Sequence, residues 1–407
     1  MLPLGPTGAD GSPYWARSDY AGNPLFIDPE LEPPGGDDAL ARFCLANESW
    51  LDDYALYEAL SRAQGGAAWW DWPEPLRDRD LQALQQASRE HAAAMARTRR
   101  EQWQFAHQWQ ALRRHAQERG VRLFGDLPIY VAPDSVTTWT QREQFQLNAQ
   151  GKPTEVSGVP PDYFAEDGQL WGNPLYDWER MRAEDFLFWR ERLAAQLARF
   201  DLLRIDHFRG LAAYWAVPAG SLNARGGRWR DAPGRDMLSS VARELPDMPV
   251  VAEDLGVITR DVDALRRDFG MPGMRVLQFA FGGGADNPHL PHNVSRDCVI
   301  YTGTHDNDTT VGWYAGLDEA ARNHLHDYLG IWDRDASDAL ARAALASVAQ
   351  LAVLPLQDIL RLGTEARLNL PGTVTGNWQW RAPPDVLTPA LARHYRELNE
   401  LYGRSCA

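Results

Sequence analysis

The stretch Leu202–Gly210, LLRIDHFRG, decides how this chain is read. It begins as an apolar strand and ends crowded with charge, in Arg204, Asp206, His207 and Arg209. Immediately before it, in 181–200, Phe186, Trp189, Leu193, Leu197 and Phe200 form a stripe at helical spacing. A helix feeding a short strand that terminates in charge is the repeating unit of a parallel α/β sheet.

Working outward, the same unit recurs. Short β-rich runs stand at Leu123–Tyr130, Leu202–Phe208, Pro249–Asp254, Val276–Phe281, Val299–His305 and Leu351–Gln357. Helix-period stretches such as Val262–Phe269 and Leu317–Leu329 separate most of them. Four of the runs carry a carboxylate at or near the C-terminal end: Asp126, Asp206, Glu253 and Asp306. In a (β/α)8 barrel that edge is where catalytic groups gather. A doubly wound sheet would also place function there, but the chain has no GxGxxG or Walker A sequence.

The expected fold is therefore α/β, a (β/α)8 TIM-type barrel over residues 1–407. Six strands are clear and Met1–Leu4 is the stub of a seventh, so the first strand is expected to be absent or a strand to lie unrecognised in the helical region. Two insertions are expected. Residues 29–120 open with a Pro/Gly/acid-rich loop and continue as helices, with Trp50, Leu51, Tyr54, Ala55 and Leu60 on one apolar face and Trp103, Ala106, Trp109 and Leu112 on another. Residues 132–180 form a lid or substrate-loop subdomain.

Composition narrows the function. With 41 basic and 56 acidic side chains among 407 residues, the formal net charge of −15 argues against a nucleic-acid backbone or an anionic membrane as partner. The single lysine is Lys152. Seventeen Trp suit either a large core or a groove that stacks sugar rings, and core packing is favoured. Cys44, Cys298 and Cys406 lie far apart, without metal spacing, which fits a reducing compartment. The N-terminus lacks the features of a signal peptide, and the best apolar run, Ala343–Leu356, is short and interrupted by Gln350. A cytoplasmic protein is expected.

Several segments could carry chemistry. Asp206, between basic neighbours, should stay ionised and suits a nucleophile; a buried ion pair fixing the loop is the alternative. In VVAEDLG (Val250–Gly256) only one of Glu253 and Asp254 can face a site. The longer Glu253 is taken as general acid/base, and Asp254 is expected to cap the next helix. YTGTHDNDTT (Tyr301–Thr310) holds His305 and Asp306; its Asp306-Asn307-Asp308 matches a DxD metal pattern, although Asp308 reads equally as a solvated turn and His305 as a core histidine. GVPPDYFAEDGQLWGNPLY (Gly158–Tyr176) reads as an aromatic lid or a surface loop pinned by its aromatics. GTVTGNWQWR (Gly372–Arg381) sets Asn377 beside Trp378 and Trp380, which fits a sugar hydroxyl and a sugar face, or an aromatic cluster closing a barrel end.

Together these segments are far more specific than any one alone. LPLGPTG, SPY, AGNP, WLDDYALY, GDLPIYVAPDS, GVPPDYF, WGNPLY, RIDHFRG, AEDLGVIT, LPHN, YTGTHDNDTT and GNWQWR occur in that order from Leu2 to Arg381. The chain resembles the amylomaltases, 4-α-glucanotransferases of glycoside hydrolase family 77 in the α-amylase clan. The resemblance implies Asp206 as nucleophile, Glu253 as general acid/base and Asp306 as a third acid that holds sugar hydroxyls. It implies that Arg204, His305, Asp126, Trp171 and Asn377 contact the donor sugar, and that Tyr14 and the lid pair Tyr163-Phe164 stack on substrate. It implies α-1,4-glucan and maltooligosaccharide substrates, with no cofactor and no metal. Against the family pattern, the chain starts at LPLGPTG, and the stretch between Ile27 and Trp50 is shorter than usual.

Overall fold

The computed structural model describes residues 1–8, 10–161, 166–331, 335–373 and 375–404. Among the described residues the strands are β1 Phe124–Leu127, β2 Glu155–Val159, β3 Gln169–Pro174, β4 Leu202–Ile205, β5 Ala213–Pro218, β6 Arg228–Asp231, β7 Val250–Ala252, β8 Gly273–Val276, β9 Cys298–Tyr301 and β10 Leu351–Val353. They form two three-stranded sheets, β1-β4-β7, in which β1 and β4 pair parallel, and β10-β9-β8, parallel at both pairs, and one four-stranded sheet, β3-β2-β5-β6, whose pairs are antiparallel. The chain divides into two compact units, Met1–Val250 with Thr259–Leu265, and Val251–Ile258 with Arg266–Ala407.

In the first unit, β1 and β4 pair so that Asp126 stands opposite Arg204 and Leu127 opposite Ile205. Leu203 and Ile205 are fully buried, which anchors β4 and leaves Arg204 on its other face. Gly125 is required by close approach: a Cβ there would lie 2.3 Å from the Phe200 ring. Phe200 closes the stripe of the preceding helix, Leu187–Leu197, so helix and strand meet through that contact. The helices Glu48–Ala63, Leu81–Glu90 and Ala92–Gln117 supply a separate core. Glu48–Ala63 buries Leu51, Tyr54, Ala55, Leu56, Tyr57, Ala59 and Leu60, and Tyr57 packs against Trp72 and Trp139. Asp134 accepts from the Tyr57 hydroxyl at 2.7 Å and the Trp69 amide at 3.1 Å, so the cluster's polar atoms are satisfied. Nearby, Lys152 ends a tight turn and its Nζ lies 3.1 Å from Asp71.

Among the described residues, six of the 17 Trp are fully in the core, and Trp50, Trp70, Trp215 and Trp313 pack partly buried against core clusters. Trp69, Trp72, Trp103, Trp139, Trp178 and Trp189 are buried, while Trp15 and Trp229 are exposed. Leu112 departs from its expected apolar face and is exposed near the end of its helix.

In the second unit, β9 is central, with Tyr301 opposite both Val276 and Val353. Leu277, Ala280, Phe281, Leu290, Ile300, Leu325, Leu340 and Ala344 form its core beneath the helices Glu319–Leu329 and Ala336–Ala346.

Five of the six β-rich runs contain most of a strand that ends earlier than read, in β1, β4, β7, β9 and β10, whereas the sixth run shares only Val276 with β8. Pro128 and Pro355 follow the ends of β1 and β10, because proline cannot donate to a ladder. The expected strand Val276–Phe281 is corrected: β8 ends at Val276 and Leu277–Phe279 is a 3-10 turn. The apolar residues 277, 280 and 281 have helical rather than alternating spacing, which explains the switch. Met1–Leu4 forms no strand; the Leu4 carbonyl instead accepts from the Asn23 amide at 2.8 Å. Among the described residues, no helix is long and apolar enough to cross a membrane.

Candidate active site

In the first unit, the register that sets Asp126 beside Arg204 builds a charged cluster at the strand ends. Arg204 Nη1 donates to Asp126 Oδ2 at 2.6 Å and Nη2 donates to Asp206 Oδ1 at 2.7 Å. The Tyr14 hydroxyl donates to the same Asp126 Oδ2 at 2.6 Å. Charge-assisted bonds this short fix both carboxylates against the one guanidinium. The two acids differ in access: the Asp126 side chain is 7% exposed and that of Asp206 is 28%. An ion pair and an accessible carboxylate therefore coexist here, and the two readings of Asp206 are not exclusive. Asp126 Oδ1 is buried without a hydrogen-bond partner among the described residues, and Tyr14, Asp126 and Tyr130 line a cavity of about 20 Å3. A buried orphan acceptor costs free energy unless a donor arrives, which suits the hydroxyl of a ligand.

His207 follows Asp206 in the left-handed region, at φ 49° and ψ 47°. Burial, and then the Arg209 guanidinium, push its imidazole down to about 3. It is neutral at physiological pH, so the positive charge facing Asp206 is that of Arg204 and not of its chain neighbour. Arg209 itself lies over the Trp229 ring at 4.0 Å. Trp171, on β3, packs edge-on against the His207 ring at 4.7 Å and lies 6.3 Å from Tyr130, so β3 touches the segment that follows β4. Tyr163 and Phe164 lie outside the described residues.

In the second unit, alternation sorts Glu253 from Asp254. Glu253 is partly exposed, and its Oε1 accepts from the Leu255 amide at 2.9 Å. Asp254 is buried and caps no helix, contrary to expectation. It accepts from the Met274 amide at 2.6 Å and sits within 3.5 Å of Arg266 and Arg275, bracing β8. Burial pushes its carboxyl up, opposed by Arg275, the Met274 amide and Arg266. Gly273 makes the approach possible, since a Cβ there would lie 2.4 Å from the Asp254 carboxylate.

Asp306 projects from the loop after β9. Its Oδ1 accepts from Asn369 Nδ2 at 2.6 Å and lies 3.4 Å from His305 Nε2. Arg367 Nη2 donates to the Asp306 carbonyl at 2.7 Å. The His305 ring is 5.8 Å from that of Trp378. Asn307 and Asp308 turn away from any shared metal: Asn307 Oδ1 accepts from the Thr304 amide and hydroxyl, and Asp308 Oδ2 accepts from the Thr364 hydroxyl at 2.8 Å. Among the described residues, no group of His, Cys, Asp and Glu is placed to hold a metal ion. Asn377 is committed at both ends of its amide, accepting from the Leu370 amide and donating to Thr373, so here it braces its own loop.

Sequence reasoning missed Asn369, Arg367 and Asp358. Asp358 had a usable signal, as an acid inside the apolar run Leu351–Leu360; Asn369 and Arg367 had none beyond proximity to the GNW segment.

The 4-alpha-glucanotransferase family model, glycoside hydrolase 77, matches residues 32–388. A 4-alpha-glucanotransferase of Thermus thermophilus is 44% identical over 99% of this chain and 91% of the relative, and one of Synechocystis is 42% identical over 99% and 90%. The alignment with the Thermus protein spans 454 positions, more than the 407 residues here, so it carries gaps on this chain's side. Among solved structures, the Streptococcus agalactiae amylomaltase in complex with acarbose superposes with a TM-score of 0.95 at 30% identity, covering 100% of this chain and 91% of that one. The Corynebacterium glutamicum amylomaltase matches with a TM-score of 0.71 at 18% identity, over 93% of this chain and 65% of that one. The fold is thus α/β of the amylomaltase, TIM-barrel type, and the chain belongs to the 4-alpha-glucanotransferase family, glycoside hydrolase 77.

Proposed function

We propose that this chain is a 4-α-glucanotransferase that moves α-1,4-glucan segments to the 4-hydroxyl of glucose or another glucan by a retaining double displacement. The observation that carries the reading is Asp206: an accessible carboxylate at a strand end, paired with Arg204, in a chain of this family. Asp206 attacks the anomeric carbon while Glu253, as the acid, gives its proton to the departing 4-oxygen. The acceptor's 4-hydroxyl then attacks the same carbon, its proton goes to Glu253, and Asp206 is released. Two inversions leave the configuration retained, and the mechanism calls for carboxyl groups about 5–5.5 Å apart. Asp306, steadied by Asn369, holds sugar hydroxyls as positive charge develops on the ring. Tyr14, Asp126, Trp171, Arg204, His305 and Asn377 contact the sugars.

Residues 29–120 are taken as a helical insertion and 132–180 as a lid over the substrate. Transfer exceeds hydrolysis only if an acceptor sugar outcompetes water, and the Tyr163-Phe164 lid pair would exclude water from the glycosyl-enzyme. Replacing both with Ala is expected to raise hydrolysis relative to transfer; an unchanged ratio ends that part of the proposal.

The test of the whole is incubation with maltotriose and separation of products by size. Glucose with a ladder of longer oligosaccharides establishes disproportionation. Glucose and maltose alone would make the chain a hydrolase with the same groups, and binding without turnover would make it a glucan-binding protein.

A further inference from the structure

Asp358 has no part in the roles above, yet it is 4% exposed and collects three donors. Its Oδ2 accepts from the Thr302 hydroxyl at 2.6 Å and the Thr310 hydroxyl at 2.7 Å, and its Oδ1 accepts from the Thr310 amide at 2.7 Å. Thr302 and Thr310 are fully buried. They are the two ends of the loop that carries His305 and Asp306. We infer that Asp358 is a positioning residue for the transfer reaction, one carboxylate that closes both ends of the 303–309 loop and thereby aims Asp306.

The topology explains how it gets there. β9 and β10 run parallel with Tyr301 opposite Val353, so the chain leaving β10 runs beside the chain leaving β9. The short helix Leu356–Ile359 then presents Asp358 beneath the loop, and Gln357 ties that helix to the Ala366 carbonyl at 3.2 Å. The same following segment supplies Thr364 to Asp308 and Arg367 and Asn369 to Asp306. A carboxylate suits this place because its two oxygens can accept from all three groups that face it, each of which can donate. Joining the loop ends through one group also removes conformational freedom that a seven-residue connection would otherwise keep. The inference rests on the role given to Asp306 above.

The test compares maltotriose transfer by the wild type, Asp306→Asn, Asp358→Ala and the double variant, with thermal unfolding of each. Asp358→Ala is expected to fold and to lose on the order of 100-fold in kcat, the scale of a misplaced catalytic group. If it acts through Asp306, the double variant falls short of the product of the single losses by about tenfold or more. Losses that multiply, or an Asp358→Ala activity within about twofold of wild type, overturn the inference. Should Asp358→Ala fail to fold, Asp358→Asn and Thr302→Val take its place under the same criterion, each removing part of the network. The Asp306→Asn variant alone reports on the underlying reading: full activity there removes the role of Asp306, and with it the route by which Asp358 acts.

Discussion

The strand-end cluster of the first unit and the 303–309 loop of the second hold their candidate groups in opposite ways. At the strand ends the groups hold one another: Tyr14, Asp126, Arg204 and Asp206 form a chain of bonds in which every link is itself a candidate for substrate contact. In the loop, Asp306 is held by residues with no evident chemistry of their own, namely Asn369, Arg367 and, through Thr302 and Thr310, Asp358. A self-supporting cluster cannot lose one member without stranding the charge of another. A scaffolded loop can lose a neutral support such as Asn369 and keep its charge balance.

That contrast orders the expected effects. The largest belongs to Asp206→Asn, which removes the nucleophile; transfer from maltotriose is expected to fall by at least about 10⁴-fold, and a variant retaining a tenth of wild-type activity would remove Asp206 from the mechanism. Next is Arg204→Ala. Because it leaves two carboxylates facing each other without their cation, a stability loss of about 3–5 kcal/mol is expected in denaturant unfolding. A loss below about 1 kcal/mol would show that the cluster is as forgiving as an exposed ion pair.

The half-buried His207, packed against Trp171, supplies a pH contrast. Its folded value of about 3 lies below the ordinary 6.5, so as pH falls below 6.5 the unfolded chain takes up a proton that the folded chain refuses. Its contribution to stability is intact above 6.5 and declines as pH drops toward 3, by at most about 1.4 kcal/mol per pH unit. Unfolding measured from pH 7 to pH 4 should show a shallower decline in His207→Gln, and identical slopes would refute the assignment. The smallest effects are expected at the neutral amides Asn369 and Asn377. Asn369→Ala loses one bond to a half-exposed carboxylate, about 1 kcal/mol, with a drop in kcat. Asn377→Ala should cost no more in stability, and a rise in KM there would mean that its amide leaves Thr373 for the sugar.

The same contrast explains what could be read from the chain itself. Alternating strands and helices showed the parallel α/β fold, because burial of β-branched and apolar runs is a local pattern, and a strand-end carboxylate such as Asp206 stands out against it. Where a role depends on a distant contact, the reading failed or fell silent. Asp254 was expected to cap a helix, but the Met274 amide, 20 residues away, claims it. Asp358 lies 48 residues from Thr310, and only the parallel pairing of β9 and β10 brings them together. His207 looked like a cation until its burial against Trp171 was known. The apolar run after Met274 was read as one strand because period 2 and period 3.6 cannot be told apart over so few residues.

The turn that carries Lys152 has a practical side. It bears the chain's single side-chain amine, half-exposed beside Asp71 and separate in sequence from every residue proposed to touch sugar. Amine-directed chemistry therefore meets one lysine instead of a scattered population. Apart from the α-amine of Met1, dyes, surfaces or polymers coupled this way have that one address, and a preparation tethered through Lys152 would present its molecules in one orientation.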